Sequence, residues 1–265
     1  MLRLLTLGAV LLSSTLATPH NEAQAADLPS RNAAPASQPV APTQWVITAS
    51  AYVWATGLEG SLRTLPPLPT AKVDIGFGTV LEHFDGAIMG TVEARYDRFI
   101  LFGDILATKI SPSKTLFPAG YPFGVKLESS SLIGLAAAGY RIVDDPLYSI
   151  DAFAGVRGFS LGTTLSVEAG PLVLHTKESR QWADAMIGAR LKVNLTSNLY
   201  LSGIAFAGAG GSRYEWDLYG GLGYAFNERW SAFAGYRAFK TDYRRDNFIY
   251  NALQQGPLLG VSARF

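Results

Sequence analysis

The stretch PLLGVSARF, from Pro257 to Phe265, alternates in character with a period of two residues. Its more apolar face consists of Leu259, Val261, Ala263 and Phe265. That period is typical of a β-strand with one face in an apolar environment. The last strand of a transmembrane barrel must pair with the first, because an open strand edge is not tolerated in lipid. The stretch therefore predicts the closing strand of a barrel, beside a first strand over Trp45–Thr56, with Arg264 near the periplasmic mouth.

The composition supports a membrane β-protein. The 265 residues are 48% hydrophobic and 16% charged, whereas an ordinary soluble domain carries about 25% charged residues. Beyond the N-terminus there is no run of about 18 apolar residues, so transmembrane helices are not predicted. The net charge of +1 argues against a nucleic-acid partner. The absence of cysteine excludes disulfides, thiol catalysis and cysteine-ligated metal.

The N-terminal segment Met1–Ala25 has the three parts of a secretory signal. Arg3 is its positive charge, Leu4–Leu12 its apolar region, and Ala23-Gln24-Ala25 a small-x-small cleavage site. Cleavage after Ala17 is an alternative. We expect export of the chain.

A proline- and alanine-rich stretch, Ala26–Thr43, follows the predicted signal. Such composition favours an extended spacer over packed structure. We expect a periplasmic spacer over residues 26–43 and a barrel over residues 44–265.

From Gln44 onward, ten segments have the period and length of membrane-spanning strands. They are Trp45–Thr56, Ile88–Tyr96, Phe99–Ser111, Val125–Ile142, Tyr148–Leu165, Gln181–Asn194, Leu199–Ala209, Tyr214–Phe226, Trp230–Lys240 and Pro257–Phe265. The fold prediction is an all-β, antiparallel, up-and-down transmembrane barrel of about ten strands, with eight or twelve as alternatives. Val125–Ile142 is apolar on both faces toward its end, so its inner face stays unassigned.

The segment Gly57–Gly86 interrupts this pattern. Val73–Phe77 has strand character and is expected to pair with Leu58–Arg63 as an external hairpin, while Thr79–Phe84 fits one helical turn. We expect a small cap or plug. If the hairpin joined the ring, the barrel would have twelve strands.

The connections alternate between short and long, as in outer-membrane barrels with short periplasmic turns and long external loops. The short ones are Tyr96–Arg98, Asp144–Pro146, Thr196–Asn198 and Asn227–Arg229. The predicted long loops are Pro112–Gly124, Ser166–Thr176, Gly210–Arg213 and Thr241–Gln255.

The less apolar strand faces carry six acidic and six basic residues. They are Glu93, Arg95, Asp104, Asp151, Arg157, Asp184, Arg190, Lys192, Glu215, Asp217, Arg237 and Arg264. An Arg or Lys facing hydrocarbon costs about 2–4 kcal/mol at the bilayer midplane, so these faces should line the lumen. With Trp182, Tyr219 and Phe233 also inside, we expect a narrow, charge-paired lumen, obstructed or with a thin water path; an ion-selective path is the alternative.

Aromatic residues cluster at the strand ends beside the short turns. They are Tyr96, Phe99, Tyr140, Tyr148, Tyr200, Tyr224, Phe226 and Trp230. Amphipathic rings of this kind lie at the headgroup level of a membrane. An interfacial girdle is therefore predicted at this end.

The signal followed by Ala26-Asp27-Leu28-Pro29 and a spacer, the alternating strands, and the ending Leu259–Phe265 resemble small Gram-negative outer-membrane β-barrel proteins, the OmpA-type transmembrane and porin-like barrel superfamily. The resemblance implies the outer membrane as location, and its lipid, lipopolysaccharide and the barrel-assembly machinery as partners. It implies an assembly signal at Leu259, Val261, Ala263 and Phe265. The Gly57–Gly86 insertion departs from a minimal eight-stranded member. The oligomeric state stays open.

Catalytic chemistry is not predicted. His20 lies in the signal, and neither His83, beside Glu82 and Asp85, nor His175 has a serine nearby in the sequence pattern of a barrel hydrolase. We expect no enzyme, no metal and no cofactor. An outer-membrane lipid-modifying enzyme using His83 or His175 is the alternative.

Arg244 and Arg245 lie in the predicted external loop Thr241–Gln255. Paired arginines can hold lipopolysaccharide phosphates by bidentate hydrogen bonds. The sequence thus favours a structural or weakly pore-forming integral barrel, with surface binding or adhesion through the loops as another alternative. A soluble barrel would need its charged faces outside.

Overall fold

The structure, a computed structural model, describes residues 44–66, 69–76, 78, 84–110, 113–116, 123–169 and 172–265. The predicted signal peptide, the predicted spacer and His83, with most of the helical turn expected around it, lie outside these ranges. Among the described residues, no helix has the length and apolar character needed to cross a bilayer.

The described residues form thirteen strands of one antiparallel sheet. The strands are β1 Val46–Trp54, β2 Gly57–Arg63, β3 Ala71–Ile75, β4 Phe84–Tyr96, β5 Phe99–Ile110, β6 Ser113–Leu116, β7 Phe123–Asp144, β8 Tyr148–Ala169, β9 Leu172–Asn194, β10 Leu199–Gly210, β11 Tyr214–Ala225, β12 Trp230–Arg245 and β13 Phe248–Arg264. Strands β10 and β11 have 12 residues each, close to the 9–11 or so that cross a bilayer.

Ten of these strands close into a ring in the order β1-β4-β5-β7-β8-β9-β10-β11-β12-β13, and β13 pairs with β1. The closing pairs run from Thr48↔Arg264 to Trp54↔Leu258. Beyond them, the Phe265 amide donates to the Ile47 carbonyl over 2.8 Å. The prediction of a closed antiparallel barrel of about ten strands is confirmed, with Pro257–Phe265 as part of its closing strand.

The insertion after β1 forms a hairpin outside the ring. Leu58 pairs with Ile75, and the other edge of β2 pairs with the distal part of β13, from Ile249↔Arg63 to Gln255↔Gly57. The expected pairing of Val73–Phe77 with Leu58–Arg63 is therefore observed for Val73 to Ile75. Because β13 is already paired with β12 and β1, the hairpin extends the wall without entering the ring, which excludes twelve strands.

The expectation of long external loops is wrong for three of the four predicted positions. Strand β8 runs to Ala169 and β9 starts at Leu172, so residues 166–169 and 172–176 are paired strand. Strand β12 runs to Arg245 and β13 starts at Phe248, joined through two residues with positive φ, Asp246 at 48° and Asn247 at 62°. Both faces of a strand beyond the bilayer can meet water, so the apolar alternation fades although the backbone stays paired.

The wall is much taller on one side. Strands β7, β8 and β9 have 22, 22 and 23 residues, about twice the length that a bilayer requires. Gly210–Arg213, also predicted as a long loop, is a short connection between β10 and β11. In Pro112–Gly124, strand β6 pairs with β7.

The outer surface is apolar around the ring. Residues more than half exposed there include Val53, Ile88, Val92, Leu101, Val156, Ile187, Leu259 and Val261. At the short-turn end, exposed rings meet in pairs, with centroids 5.4 Å apart for Trp45–Tyr96 and for Phe99–Tyr140. An apolar band with an aromatic edge is the surface that a barrel presents to lipid.

Two expectations about this surface need correction. Tyr200 does not belong to the girdle, because its side chain lies inside the barrel under Lys192, whose Nζ is 4.2 Å from the ring centroid. Ala263 shares the outer face of β13 but is only 8% exposed. It lies in register between Ala49 and the much larger Trp230 on the neighbouring strands.

The ambiguous segment Val125–Ile142 is resolved by the fold. Ile133, Leu135 and Ala137 are buried inside the barrel, whereas Leu132 and Tyr140 are exposed on its outer face. The pairing with β8 shifts by one residue between Arg141 and Val143. This β-bulge disturbs the period of two near the short turn between β7 and β8.

Candidate functional site: the barrel lumen

The structure places the twelve charged residues predicted for the lumen on the inner faces of the strands. Glu93, Arg95, Asp104, Arg190, Lys192, Asp217, Arg237 and Arg264 line one internal cavity, and Asp151, Arg157, Asp184 and Glu215 are buried beside it. Trp182, Tyr219 and Phe233 are also inside. These side chains form a charged layer at the short-turn end, a central charged layer, and an aromatic layer beyond it that is called the outer aromatic layer.

Arg237 organises the central charged layer. Its Nη2 donates to Asp104 Oδ2 over 2.6 Å and to Asp217 Oδ2 over 2.7 Å, and its Nη1 donates to the Tyr52 hydroxyl over 2.7 Å. The Tyr52 hydroxyl in turn donates to Asp104 Oδ1 over 2.7 Å. Because these residues come from β1, β5, β11 and β12, the network crosses the lumen.

Arg157, from β8, joins the same layer. It is 1% exposed, and its Nη2 donates to Asp217 Oδ2 over 2.8 Å. Its Nη1 has no hydrogen-bond partner, and neither has Asp184 Oδ2 nor either carboxylate oxygen of Glu215. A buried polar group without a partner costs free energy, so this layer is well paired around Arg237 and poorly paired around Glu215.

The outer layer is a stack of rings. Trp182 lies 4.7 Å from Phe159 and 4.0 Å from Tyr243 between ring centroids, with interplanar angles of 9° and 19°. Its Nε1 donates to Ser212 Oγ over 2.8 Å. Phe239 continues the stack beside Phe159, and the Arg157 guanidinium lies 4.9 Å from the Phe239 centroid. The aromatic and charged layers are therefore in direct contact.

At the short-turn end, two arginines share one buried aspartate. Asp151, 1% exposed, accepts from Arg141 Nε over 2.8 Å and from Arg190 Nε over 2.9 Å. Arg190 also pairs with Glu93, and Arg141 with Asp144. Arg141 was missed from the sequence, because it lies beside the β-bulge in the strand whose inner face could not be assigned.

Glycine and aromatic residues alternate across neighbouring strands. One row is Gly139, Phe153, Gly188 and Phe206 on β7 to β10, and another is Tyr200, Gly223, Phe233 and Gly260 on β10 to β13. A Cβ added at Gly223 would lie 2.1 Å from the Tyr200 ring, and one added at Gly260 would lie 2.4 Å from the Phe233 ring. The missing side chains make room for large rings inside a narrow barrel.

Replacing Gly188 with alanine is expected to lower the free energy of unfolding by about 1–3 kcal/mol, as overpacking does in other cores. A Cβ there would lie 2.3 Å from the Phe206 ring and 2.8 Å from the Ala205 carbonyl oxygen. The matched control is Gly220→Ala, since nothing lies within 4 Å of a Cβ at that outward position. Urea unfolding of the refolded barrels measures both, and equal losses would contradict the steric explanation.

A cavity of about 480 Å³ opens at the short-turn end. Turn residues Asp144, Asp145 and Asn227 line its mouth, and Asp104, Asp217 and Arg237 lie at its inner end. The outer aromatic layer is absent from its walls. The lumen is thus open toward the short turns and filled by side chains beyond the central layer.

His175 Nδ1 lies 2.8 Å from Ser166 Oγ across the β8–β9 hairpin. The sequence pattern did not predict this pair. The described chain supplies no carboxylate to orient the imidazole. Nor do the described residues contain a group of three or more potential metal ligands.

Arg244 and Arg245 are exposed at the end of β12. Arg244 Nε donates to Asp242 Oδ1 over 2.7 Å. Asp242 and Tyr243 are 3% exposed, which corrects the expectation that this segment is a solvated loop. Contact of the two arginines with lipopolysaccharide stays a prediction.

No protein-family model matches the sequence, and no curated protein matches it. The fold is similar to the translocator domain of the autotransporter NalP from Neisseria meningitidis, at 12% identity over 84% of this chain and 89% of that one, with a TM-score of 0.41. It is also similar to Ail, the attachment invasion locus protein of Yersinia pestis, at 12% identity over 83% and 98% of the two chains, with a TM-score of 0.31. These neighbours are outer-membrane β-barrel proteins. At such TM-scores the barrel architecture rests on this chain's own strand pairing.

Proposed function

We propose that this chain is an integral outer-membrane β-barrel with a closed lumen and a structural role in the envelope. The main support for a closed lumen is the Arg237 network, which links Tyr52, Asp104 and Asp217 across the barrel. The closed ring, the apolar exterior and the aromatic edge at the short turns support the membrane location.

The layers favour a structural role over an open pore. Arg157, Arg237 and Asp217 are at most 6% exposed, and an ion following the axis would have to separate them. Breaking a buried ion pair costs about 3–5 kcal/mol. The Trp182 stack then adds a second, apolar barrier on the outer side.

Planar-bilayer recordings of the purified barrel test the closed lumen. We expect no stepwise conductance, with folding verified by heat-modifiable mobility on gels. Recurrent single-channel steps from folded protein would contradict the closed lumen and indicate a weak pore instead. Release of the protein from cell envelopes by alkaline carbonate, without detergent, would overturn the integral-membrane location.

A role of the terminal residue in assembly is part of this proposal. Phe265 exchanges both backbone hydrogen bonds with Ile47, and its ring lies 5.0 Å from the Arg229 guanidinium. Deleting Phe265 should therefore reduce the amount of inserted barrel, because it removes a closing pair and an exposed ring that the assembly machinery can contact. Heat-modifiable protein in outer-membrane fractions measures this, with Phe265→Tyr as control. Equal amounts after the deletion would count against an assembly role.

The absence of enzymatic activity stays a prediction. The His175–Ser166 pair lies on an exposed hairpin, whereas a nucleophile and base are normally completed by a third, orienting group. The pair therefore favours a cross-strand structural contact.

A further inference from the structure

The cavity of about 480 Å³ at the short-turn end has walls of two kinds. Hydroxyl groups from several strands face it, namely Thr48, Ser50, Thr91, Ser202, Ser231 and Ser262. Rings lie between them, among which Tyr200, Tyr219 and Phe233 also line the cavity. Its volume is within the range of about 300–1,000 Å³ that is typical of small-molecule sites.

Four bases on these walls have no carboxylate partner. Within the described ranges, Arg95, Lys192, Arg229 and Arg264 form no ion pair, although all four line the cavity. Arg229 is exposed on a turn and lies over the Phe265 ring, which leaves Arg95, Lys192 and Arg264 as the candidates for binding. Arg95 lies near two other bases, Arg141 and Arg264, and near two acids, Glu93 and Asp144. Lys192 lies near three other bases, Arg190, Arg141 and Arg264, and near one acid, Glu93.

The acids of the same layer are already engaged. Glu93 and Asp151 pair with Arg190, and Asp151 and Asp144 pair with Arg141. The remaining acids at the mouth, Asp145 and Glu228, are exposed on the turns, and Asp145 accepts from the Leu147 amide. The charge that lacks a partner in the layer at the short-turn end is thus positive.

We propose that this cavity binds a small polyhydroxylated anion, a sugar-sized molecule bearing a phosphate or carboxylate group. Arg95, Lys192 and Arg264 hold the anionic group by charge-assisted hydrogen bonds, which are the strong class of such bonds. The threonine and serine hydroxyls pair with the ligand's hydroxyls, and the tyrosine and phenylalanine rings contact its apolar faces. Because the cavity opens at the short turns, the ligand enters from the periplasmic side.

Isothermal titration calorimetry of the full chain in non-ionic detergent tests this assignment. The probe is glucose 6-phosphate, and the comparison ligands are glucose, inorganic phosphate and octanoate. We expect glucose 6-phosphate to bind more tightly than any of the three, with an affinity that falls as salt rises. If inorganic phosphate bound equally well, the proposal that the ligand's hydroxyl groups are recognised would be overturned. Preferential binding of octanoate would show that the cavity takes an amphiphile and not a polyhydroxylated anion. If no anion bound, the proposal of a binding site would be overturned.

The double variant Arg95→Gln, Lys192→Gln tests the assigned bases. Because neither base forms an ion pair with an acid, replacing both leaves no buried acid without a partner. The variant should therefore fold at least as well as the wild type, and heat-modifiable mobility on gels verifies its folding. Its affinity for glucose 6-phosphate should fall roughly tenfold or more. The control Arg245→Gln removes an exposed base outside the cavity and should leave the affinity unchanged. Unchanged affinity in the folded double variant would overturn the role of these bases.

Discussion

Replacing Asp217 with asparagine is expected to lower the free energy of unfolding by about 3–5 kcal/mol, the cost of breaking a buried ion pair. Asp217 is 4% exposed and accepts from Arg157 Nη2, Arg237 Nε and Arg237 Nη2 at 2.7–3.0 Å. Asparagine keeps the shape but loses the charge. Arg157 is then left buried without its ion pair, whereas Arg237 retains Asp104.

Glu215→Gln is the matched control. Glu215 lies two residues earlier on the same face of β11, is 2% exposed, and has no hydrogen-bond partner for either carboxylate oxygen. Removing an unpartnered buried carboxyl should leave stability unchanged or raise it, because no pair is broken.

Urea titration of both refolded variants, followed by tryptophan fluorescence, measures their free energies of unfolding. The comparison distinguishes the loss of an ion pair from the loss of a buried charge that has no partner. The expected result is a large loss for Asp217→Asn and none for Glu215→Gln. Similar losses in the two variants would mean that any change in this layer disturbs packing. Under that outcome the ion pairs would not be the feature that stabilises the central layer.

Replacing Trp182 with alanine is expected to lower the free energy of unfolding by about 3–5 kcal/mol, as for other buried tryptophans. The change removes the contacts with Phe159 and Tyr243 and leaves Ser212 Oγ without its indole donor. Trp182→Phe keeps a ring in the stack and should cost less, mainly the hydrogen bond, about 1 kcal/mol.

The Trp182→Ala variant also tests which of two barriers closes the lumen, the Arg237 network or the outer aromatic layer. The Arg237 network lies at the inner end of the cavity and does not include Trp182, so Trp182→Ala should remain non-conducting in planar bilayers although it is less stable. Channel events in the folded variant would show that the aromatic layer alone closes the lumen. A loss of stability as large for Trp182→Phe as for Trp182→Ala would contradict the stacking contribution.

The strands inside the bilayer could be predicted because lipid and lumen impose opposite demands on alternate residues. Ala183 to Val193 on β9, for example, alternate with Trp182, Asp184, Arg190 and Lys192, and the structure gives the same division. Beyond the bilayer both faces of a strand can meet water, so alternate residues no longer have to differ in polarity. Residues 166–176 and the end of β12 were therefore predicted as loops, although residues 166–169, residues 172–176 and β12 up to Arg245 are paired strand.

Positions near the turns were predicted less well for local reasons. Tyr200 fits an interfacial girdle as an aromatic at a strand end, but the alternation of β10 places it inside, where Gly223 leaves room for its ring. Arg141 lies beside a β-bulge that shifts the period by one residue. In both cases the neighbouring strand, and not the local pattern, decides where the side chain lies.

The sequence by itself determined an antiparallel barrel of about ten strands and the inward position of its charges, because strands that alternate with a period of two must close into a ring to leave no edge exposed to lipid. The choice of ten strands over twelve came from the tertiary structure, in which the β2–β3 hairpin lies outside the ring. Only the tertiary structure decided which charges pair, since Arg237 and Asp104 meet across the lumen from strands 133 residues apart. It also decided which glycines face aromatic rings and which bases stay unpaired around the cavity at the short-turn end. Those features depend on strand register and closure, which relate side chains that are distant in the chain.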